Sequence, residues 1–423
     1  MRTKNDLHYE IVHHNQSFFF PTSITSPMTN PISTTTLDHQ ISAAKRPKHH
    51  NEDAADHRHQ PLLTGIPDHL SQICLSLVPP SKLYAVCSSW RRLIWSPSFP
   101  PFLSLYALLL PADNLHHHHL FSNSLQFASF DPISAKWQPL PPPPPDWQLR
   151  FLFRHPSFIS RRIPVQSVAV AGKLVFLAAS NDDFLPALSQ PLIFDPLSRN
   201  WTLGPPLAAP RRWCAAGASR GAVFVASGVG SQYNTDVARS VEKWDVDSLN
   251  HHQPPLRRRW TWQKMRNLKD GKFSRDAIDG VGWRGKLCMV NVSGDAAKEG
   301  IIYDIEKDSW GEMPEGMLAG WRGPAAAMDE ETIYAVDESK GLLKKYDHAK
   351  DAWAHLVVDD RLKGVHHLAA AGGKVCGSAA DGSTIVVVDV AAPPPARLWE
   401  VDAPPGFQIS ALYILPRLSN NAT

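Results

Sequence analysis

Two hydrophobic periodicities divide the chain. From Leu62 to Phe102 apolar residues recur at helical spacing, with Leu70, Ile73, Cys74 and Leu77 on one stripe. After the Pro79-Pro80 break, Leu83, Val86, Cys87, Trp90, Leu93 and Ile94 form a second stripe that Pro97 ends. Pro67 suits the first position of a helix and Asp68 the positive end of its dipole, while Ser81 has the side chain of an N-cap. Two helices this short bury too little surface to stand alone and need each other and a partner protein. Before residue 60 the apolar residues are too scattered for either period, and the Ser/Thr/Pro/Asn/His-rich composition predicts a disordered tail. From Phe102 onward the period is that of strands.

The strand region repeats itself. Six segments place an aspartate after an apolar strand and a tryptophan shortly beyond it: Asp131 with Trp137, Asp195 with Trp201, Asp245 with Trp262, Asp304 with Trp310, Asp347 with Trp353 and Asp389 with Trp399. The aspartates recur every 42 to 64 residues, close to the length of propeller blades with loops added. Between them lie two more strands joined at a turn, as at Gly172, Gly221, Gly285, Glu330-Glu331 and Gly372-Gly373, which makes four strands per unit. The first unit supplies only three strands, and the chain ends with a surplus one, Gln408 to Leu415. Joining that strand to the first unit closes the ring and leaves no open sheet edge. The expected architecture is therefore a mainly β, six-bladed propeller closed by its C-terminal strand, preceded by a small helical segment. The domains are 1–60, a disordered tail; 61–101, the helical pair; 102–416, the propeller; and 417–423, a second tail. In this reading the repeated Asp and Trp build the fold: the acid accepts backbone hydrogen bonds in a turn and the indole fills the space between sheets.

Composition agrees and narrows the function. The 37 prolines among 423 residues exclude a helix-dominated chain. A net charge of +3 with 20% charged residues gives no overall field for nucleic acid or anionic lipid, so neither is expected as a partner. The five cysteines are scattered with no Cys-x-x-Cys pair, which suits a reducing compartment. No stretch reaches the length of a membrane span and the N-terminus has no signal-peptide core. The expected location is intracellular, in the cytoplasm, the nucleus or both. Lys45-Arg46-Pro47-Lys48 has the composition of a nuclear import signal, but a solvated linker is the preferred reading.

Residues Leu62 to Phe102, with Ile66-Pro67-Asp68, the Pro79-Pro80 break and Val86-Cys87-Ser88-Ser89-Trp90-Arg91, resemble an F-box, and the repeats resemble kelch repeats. The double glycine of a kelch second strand is present only in degraded form, as Ser227-Gly228-Val229-Gly230 and as Ala178-Ala179 or Val290-Asn291. Together they resemble the plant F-box/kelch-repeat proteins of the Skp-interacting-partner type. The resemblance implies the substrate-recognition subunit of an SCF (Skp–cullin–F-box) ubiquitin-protein ligase. The F-box docks on a Skp-type adaptor, and through it on the cullin and the RING subunit, while the propeller captures a target protein for ubiquitination and proteasomal degradation. It implies no catalytic residue, metal or cofactor. Carried over for adaptor docking are Ile66, Pro67, Leu70, Ile73, Leu83, Val86, Cys87, Trp90 and Leu93, some of which must instead pack the helices together.

Aligning the units on their turns places Arg162, Arg211, Arg275, Gly320 and Lys363 at one equivalent position, with Trp213, Trp321, Arg322, His366 and His367 close by. Two readings stand open: a basic, aromatic-bearing mouth for an acidic or phosphorylated target, or ordinary solvated loop charges. The target-binding candidates are Arg162, Arg211, Trp213, Arg275, Trp321, Arg322, Lys363 and His366. The alternatives to a ubiquitin-ligase subunit are a propeller scaffold that binds partners without ubiquitination and, less favoured, a propeller metalloenzyme. The run His116 to His119 does not form a metal shell in this reading, because adjacent side chains diverge.

Overall fold

A computed structural model describes residues 62–76, 78, 83, 86–94, 103–112, 121–122, 126–132, 135–143, 151–152, 166–178, 189–211, 214–230, 234–246, 261–274, 277–293, 296–393 and 395–418. The expected N-terminal tail, the basic cluster at Lys45, the histidine run and residues 419–423 lie outside these residues, whereas Leu418, expected in the C-terminal tail, is buried in the core between blades one and two. Among the described residues, six four-stranded antiparallel sheets account for the strand region. From the inside outward, blade one is β26 (Phe407–Pro416), β1 (Leu103–Pro111), β3 (Gln126–Asp131) and β4 (Lys136–Pro139). Blade two is β6 (Gln166–Val170), β7 (Lys173–Ala178), β8 (Leu192–Asp195) and β9 (Asn200–Leu203). Blade three is β10 (Ala215–Ser219), β11 (Ala222–Ala226), β12 (Val241–Asp245) and β13 (Gln263–Met265). Blade four is β14 (Ala277–Trp283), β15 (Lys286–Ser293), β16 (Ala296–Asp304) and β17 (Ser309–Glu312). Blade five is β18 (Ala325–Met328), β19 (Thr332–Asp337), β20 (Leu342–Asp347) and β21 (Ala352–Val358). Blade six is β22 (Leu368–Ala371), β23 (Lys374–Ser378), β24 (Thr384–Asp389) and β25 (Arg397–Asp402). A short ladder of β2 (Phe121–Ser122) and β5 (Phe151–Leu152) stands apart.

The inner strands neighbour one another in the order β26, β6, β10, β14, β18, β22 and back to β26, which makes a closed ring. Closure occurs where the surplus strand predicted it: β26 pairs antiparallel with β1 from Leu103↔Pro416 to Pro111↔Phe407. The Tyr106 hydroxyl donates to the Pro416 carbonyl at 2.6 Å across this seam. The inner hairpins turn through two residues with both φ values positive, as in Arg220 at 51° with Gly221 at 71° and Arg284 at 50° with Gly285 at 71°. That left-handed pair matches the twist of the strands it joins, which is why Gly recurs at the second position.

The repeated Asp and Trp have the structural roles expected of them. At the turn between third and fourth strands, Asp195 accepts the Leu197 amide at 2.9 Å, Asp304 the Lys307 amide at 3.0 Å and Asp347 the Ala349 amide at 3.1 Å. Five of the six tryptophans reach the preceding blade. The indole N–H groups of Trp137, Trp201, Trp262, Trp310 and Trp353 donate to the carbonyls of Asp402, Pro141, Pro205, Arg266 and Met317 at 2.7 to 2.9 Å. The acceptors lie at the end of an outer strand or in the segment that follows it, so every such indole both fills apolar space and fastens two blades. The core accordingly sits between adjacent sheets, as where Tyr106, Phe127, Phe176, Phe194, Trp201 and Tyr413 pack blade one on blade two.

Blades three and four approach most closely at their inner strands. A Cβ on Gly282 would lie 1.7 Å from the Ala218 carbonyl oxygen, and one on Gly280 would lie 3.0 Å from that of Ala216. Only glycine lets the two backbones meet. Replacing Gly282 by Ala should cost at least about 1–3 kcal/mol through overpacking. Gly311→Ala, where nothing lies within 4 Å, should stay within about 0.5 kcal/mol of wild type. Chemical denaturation of the two variants measures the difference.

Candidate binding surfaces

The helical segment forms a small cluster with one face left over. Its helices are α1 (Asp68–Ser76) and α2 (Ser88–Ile94), with Leu83 and Val86 also helical before α2. α1 starts on the Pro67 carbonyl, which accepts from the Leu70 and Ser71 amides at 3.0 and 2.9 Å, and Asp68 Oδ1 accepts the Leu62 amide at 3.1 Å. Cys87 Sγ accepts the Trp90 amide at 3.5 Å at the start of α2. Leu75, Leu83 and Leu93 are the interior, with Leu62, Leu63, Val78 and Trp90 packed against them. The Trp90 indole N–H donates to the Leu62 carbonyl at 3.1 Å.

The residues expected to meet an adaptor therefore separate. Leu83 and Leu93, at 1% and 8% exposure, hold the pair together and cannot be contacted without unfolding it. Ile66, Leu70, Ile73 and Val86 are 38%, 45%, 57% and 57% exposed. Pro67 is exposed beside them, and Cys87 and Trp90 are half-buried. Leu70 and Ile73 stand three apart on one helix face, a spacing that puts their side chains side by side. Four large apolar side chains thus stay in water on one small helical pair.

Burial removes Arg211 and Trp321 from the basic, aromatic-bearing ring expected on the propeller. Arg162, Trp213 and Arg275 lie outside the described residues. Arg211 is 0% exposed, and its guanidinium is used internally: it pairs with Glu242 and donates to Ser240 Oγ at 2.6 Å and to the carbonyls of Ala209, Ser227 and Ser240 at 3.0 to 3.3 Å. Glu242 in turn accepts the Ala208 amide at 3.0 Å. Arg211 is thus a strut that ties the blade connection to β12, not a ligand for a target. Trp321 is also interior at 1% exposure, edge-on to Trp353 with ring centroids 6.1 Å apart, at the end of the inserted helix α4 (Glu315–Gly320). α3 (Thr235–Arg239) is a second insertion, between β11 and β12. A position ten residues before a turn fixes no side-chain direction once helices are inserted, which is why the alignment joined buried and exposed residues.

What remains on that face is a narrower site. Arg322 and Lys363 are exposed, and Lys363 Nζ lies 2.7 Å from Asp360. His366 is half-buried, with Nε2 3.4 Å from Ser378 Oγ. Beside Arg322 the structure adds two cations that the alignment missed, Lys340 and Lys344. Burial, reinforced by Arg322 and Lys340, holds the Lys344 ammonium below its ordinary pKa against the attraction of Asp337. Lys344 donates to the Gly320 carbonyl at 2.7 Å and lies 5.6 Å from the Trp353 ring centroid. Both lysines come from the β19–β20 hairpin, not from a blade connection, so aligning the connections could not find them.

A channel of about 660 Å³ runs down the propeller axis. Its walls are small residues of the inner strands, including Ala169, Ala216, Ala218, Gly280, Gly282, Ala326 and Ala370. At the hairpin end Glu330 reaches from blade five to blade three, where it accepts from Ser219 Oγ at 2.9 Å and the Arg220 amide at 2.7 Å. Two patterns in this wall match catalytic consensus sequences, Gly217-Ala218-Ser219-Arg220-Gly221 and Gly280-Val281-Gly282-Trp283-Arg284-Gly285. Both run through a strand–turn–strand hairpin and not the strand–turn–helix that a nucleophile elbow or dinucleotide site requires. Gly217, Gly280 and Gly282 serve the close packing of blades three and four, and Gly221 and Gly285 the hairpin turns. Among the described residues no cluster of three or more His, Cys, Asp or Glu is placed to hold a metal ion. No described helix is long and apolar enough to cross a membrane.

The described residues thus form a six-bladed propeller and an amphipathic helical pair with an exposed apolar stripe. The chain is 50% identical over 394 residues to the Arabidopsis thaliana F-box/kelch-repeat protein SKIP25, covering 92% of this chain and 96% of that one. It is 23% identical over 296 residues to the Arabidopsis F-box protein AFR, covering 68% and 71% of the two chains. No family model matches the chain. The protein belongs to the F-box/kelch-repeat family of plants, and its relatives and its fold support the role of an F-box adaptor.

The Arg211–Glu242 pair offers a direct check on its structural role. Arg211→Met should destabilise the propeller by about 3–5 kcal/mol, because it strands a buried carboxylate. Adding Glu242→Leu should recover much of the loss. Equilibrium unfolding of the single and double variants reads both effects.

Proposed function

We propose that the protein is the substrate-recognition subunit of an SCF ubiquitin-protein ligase. The helical pair docks on a Skp-type adaptor, and through it on the cullin and the RING subunit. The propeller holds a target protein within reach of ubiquitin transfer, which commits it to proteasomal degradation inside the cell, in the cytoplasm, the nucleus or both. The chain contributes no bond-making chemistry in this reading; it replaces a bimolecular encounter by an effectively unimolecular one. The observation that carries the proposal is the apolar stripe of Ile66, Leu70, Ile73 and Val86, left in water by a pair of helices whose own interior is already filled. The domain division at about residues 60 and 102 follows from the same reading, with the recognition surfaces on separate units.

The exposed stripe and the interior predict different failures. Leu70→Asp with Ile73→Asp should abolish co-purification of the full chain with a Skp-type adaptor, a loss of at least about 2 kcal/mol and so roughly 30-fold in affinity, without changing the unfolding transition of the propeller. Leu83→Ala should unfold the helical pair itself. Unchanged adaptor binding in the double Asp variant would sink the docking proposal and leave a propeller scaffold.

For target capture, the site proposed is the sector of Arg322, Lys340, Lys363 and His366, whose excess of cations beside Asp337 suits an acidic or phosphorylated segment. Arg322→Glu with Lys363→Glu should leave adaptor binding intact and stabilise the degradation target in cells. Quantitative proteomics of plants carrying the variant against wild type provides the readout, and an unaltered set of stabilised proteins would count against this sector.

A further inference from the structure

At the end of the channel opposite Glu330, polar side chains from four successive blades converge. Blade six brings His366 and His367, blade one Tyr413, blade two Gln166 and Ser167, and the entry to blade three Cys214; all line the channel. The His367 ring lies edge-on to Tyr413 with centroids 5.8 Å apart. The Tyr413 hydroxyl is hydrogen-bonded to Ser167 Oγ, and Cys214 Sγ donates to Gln166 Oε1 at 3.2 Å. His367 Nδ1 is buried and has no hydrogen-bond partner within the protein. A buried ring nitrogen left in that state costs free energy unless something else supplies its bond.

We propose that the channel is a binding site for an uncharged small molecule with an apolar body and a hydrogen-bonding head, the head seated at His367, Tyr413 and Ser167 and the body against the alanine walls. Three features support this assignment. The volume of about 660 Å³ falls within the range of small-molecule sites. The groups that would meet the head, His367, Tyr413 and Ser167, together with Cys214, are uncharged at neutral pH: burial and the neighbouring His366 push the His367 imidazole down to about 3, and burial pushes the Cys214 thiol up to about 12 and raises the Tyr413 phenol. A charged head would lose its hydration there without gaining a counter-charge. The small side chains of Ala169, Ala218, Ala326 and Ala370 leave room for the body between the backbone edges of the inner strands, and the Glu330 carboxylate at the far end is already engaged by Ser219 and Arg220.

The test uses the full chain and three probes with one pentyl body, hexanamide, hexanoate and pentylammonium, each titrated by saturation-transfer NMR. Hexanamide is expected to bind with at least tenfold preference over both charged probes. Its affinity should fall about 2- to 12-fold in His367→Phe and in Tyr413→Phe, the loss of one hydrogen bond. It should fall at least tenfold in Ala169→Leu, which narrows the channel, and persist in Leu70→Asp with Ile73→Asp, which alters the other apolar surface. The comparison of the three probes on wild-type protein stands even where a variant fails to fold. Equal binding of hexanoate, binding undiminished by Ala169→Leu, or no hexanamide binding at all would each overturn the proposal, the last leaving the channel to water alone.

Discussion

The pairing of β26 with β1 is the constraint on which the remainder of the propeller depends. Five of the sheets are built from consecutive strands, but blade one borrows its innermost strand from the far end of the chain, in register from Leu103↔Pro416 to Pro111↔Phe407. Without that strand, β1 would present an open inner edge and β22 and β6 would have no neighbour between them. Both the ring and the channel would be lost, since β26 supplies Leu412 to Pro416 to the channel wall. Closure joins segments some three hundred residues apart, so its entropic cost is large and is recovered only when the entire ring has formed.

Once closed, the ring is fastened at five of its six seams by the same device. An indole fills the gap between two sheets and donates to a carbonyl of the preceding blade, so apolar burial and a directional bond act on one contact. Blade five adds a polar version: Asp351 accepts the Tyr346 hydroxyl at 2.7 Å and the Gly316 and Met317 amides at 2.9 Å, which fixes α4 against β21. Arg211 does the same between blades two and three. These interior polar groups are satisfied by protein partners and consume charge that would otherwise reach the surface. The helical pair is the opposite case, with a filled interior of three leucines and an outer apolar face that its own chain does not cover.

Local pattern carried some of this and not the rest. The four-strand unit, the turn positions and the C-terminal closing strand follow from spacing, because a hairpin turn needs particular residues and a sheet needs a partner for every edge. The two helix stripes were equally legible, but not their division: Leu70 and Leu83 have the same chemistry and spacing, and only packing decides that one faces water and the other the interior. The basic ring misled for the same reason. Arg211, Lys363 and Gly320 share an alignment position, yet one is a buried strut, one an exposed cation and one the end of an inserted helix. Lys340 and Lys344 joined Arg322 from a different hairpin altogether.

The sequence by itself determined the number of blades, their strand order and the presence of a helical module with an apolar stripe, since these depend on periodicity and on residues confined to short segments. The tertiary structure alone decided which charged residues stay in water, why Gly282 must be glycine and how His366, His367, Tyr413, Ser167, Gln166 and Cys214 come to share one end of a channel. The physical reason is that burial and contact are properties of the closed ring. Residues as distant as Ser167 and Tyr413 become neighbours only when the last strand has found the first.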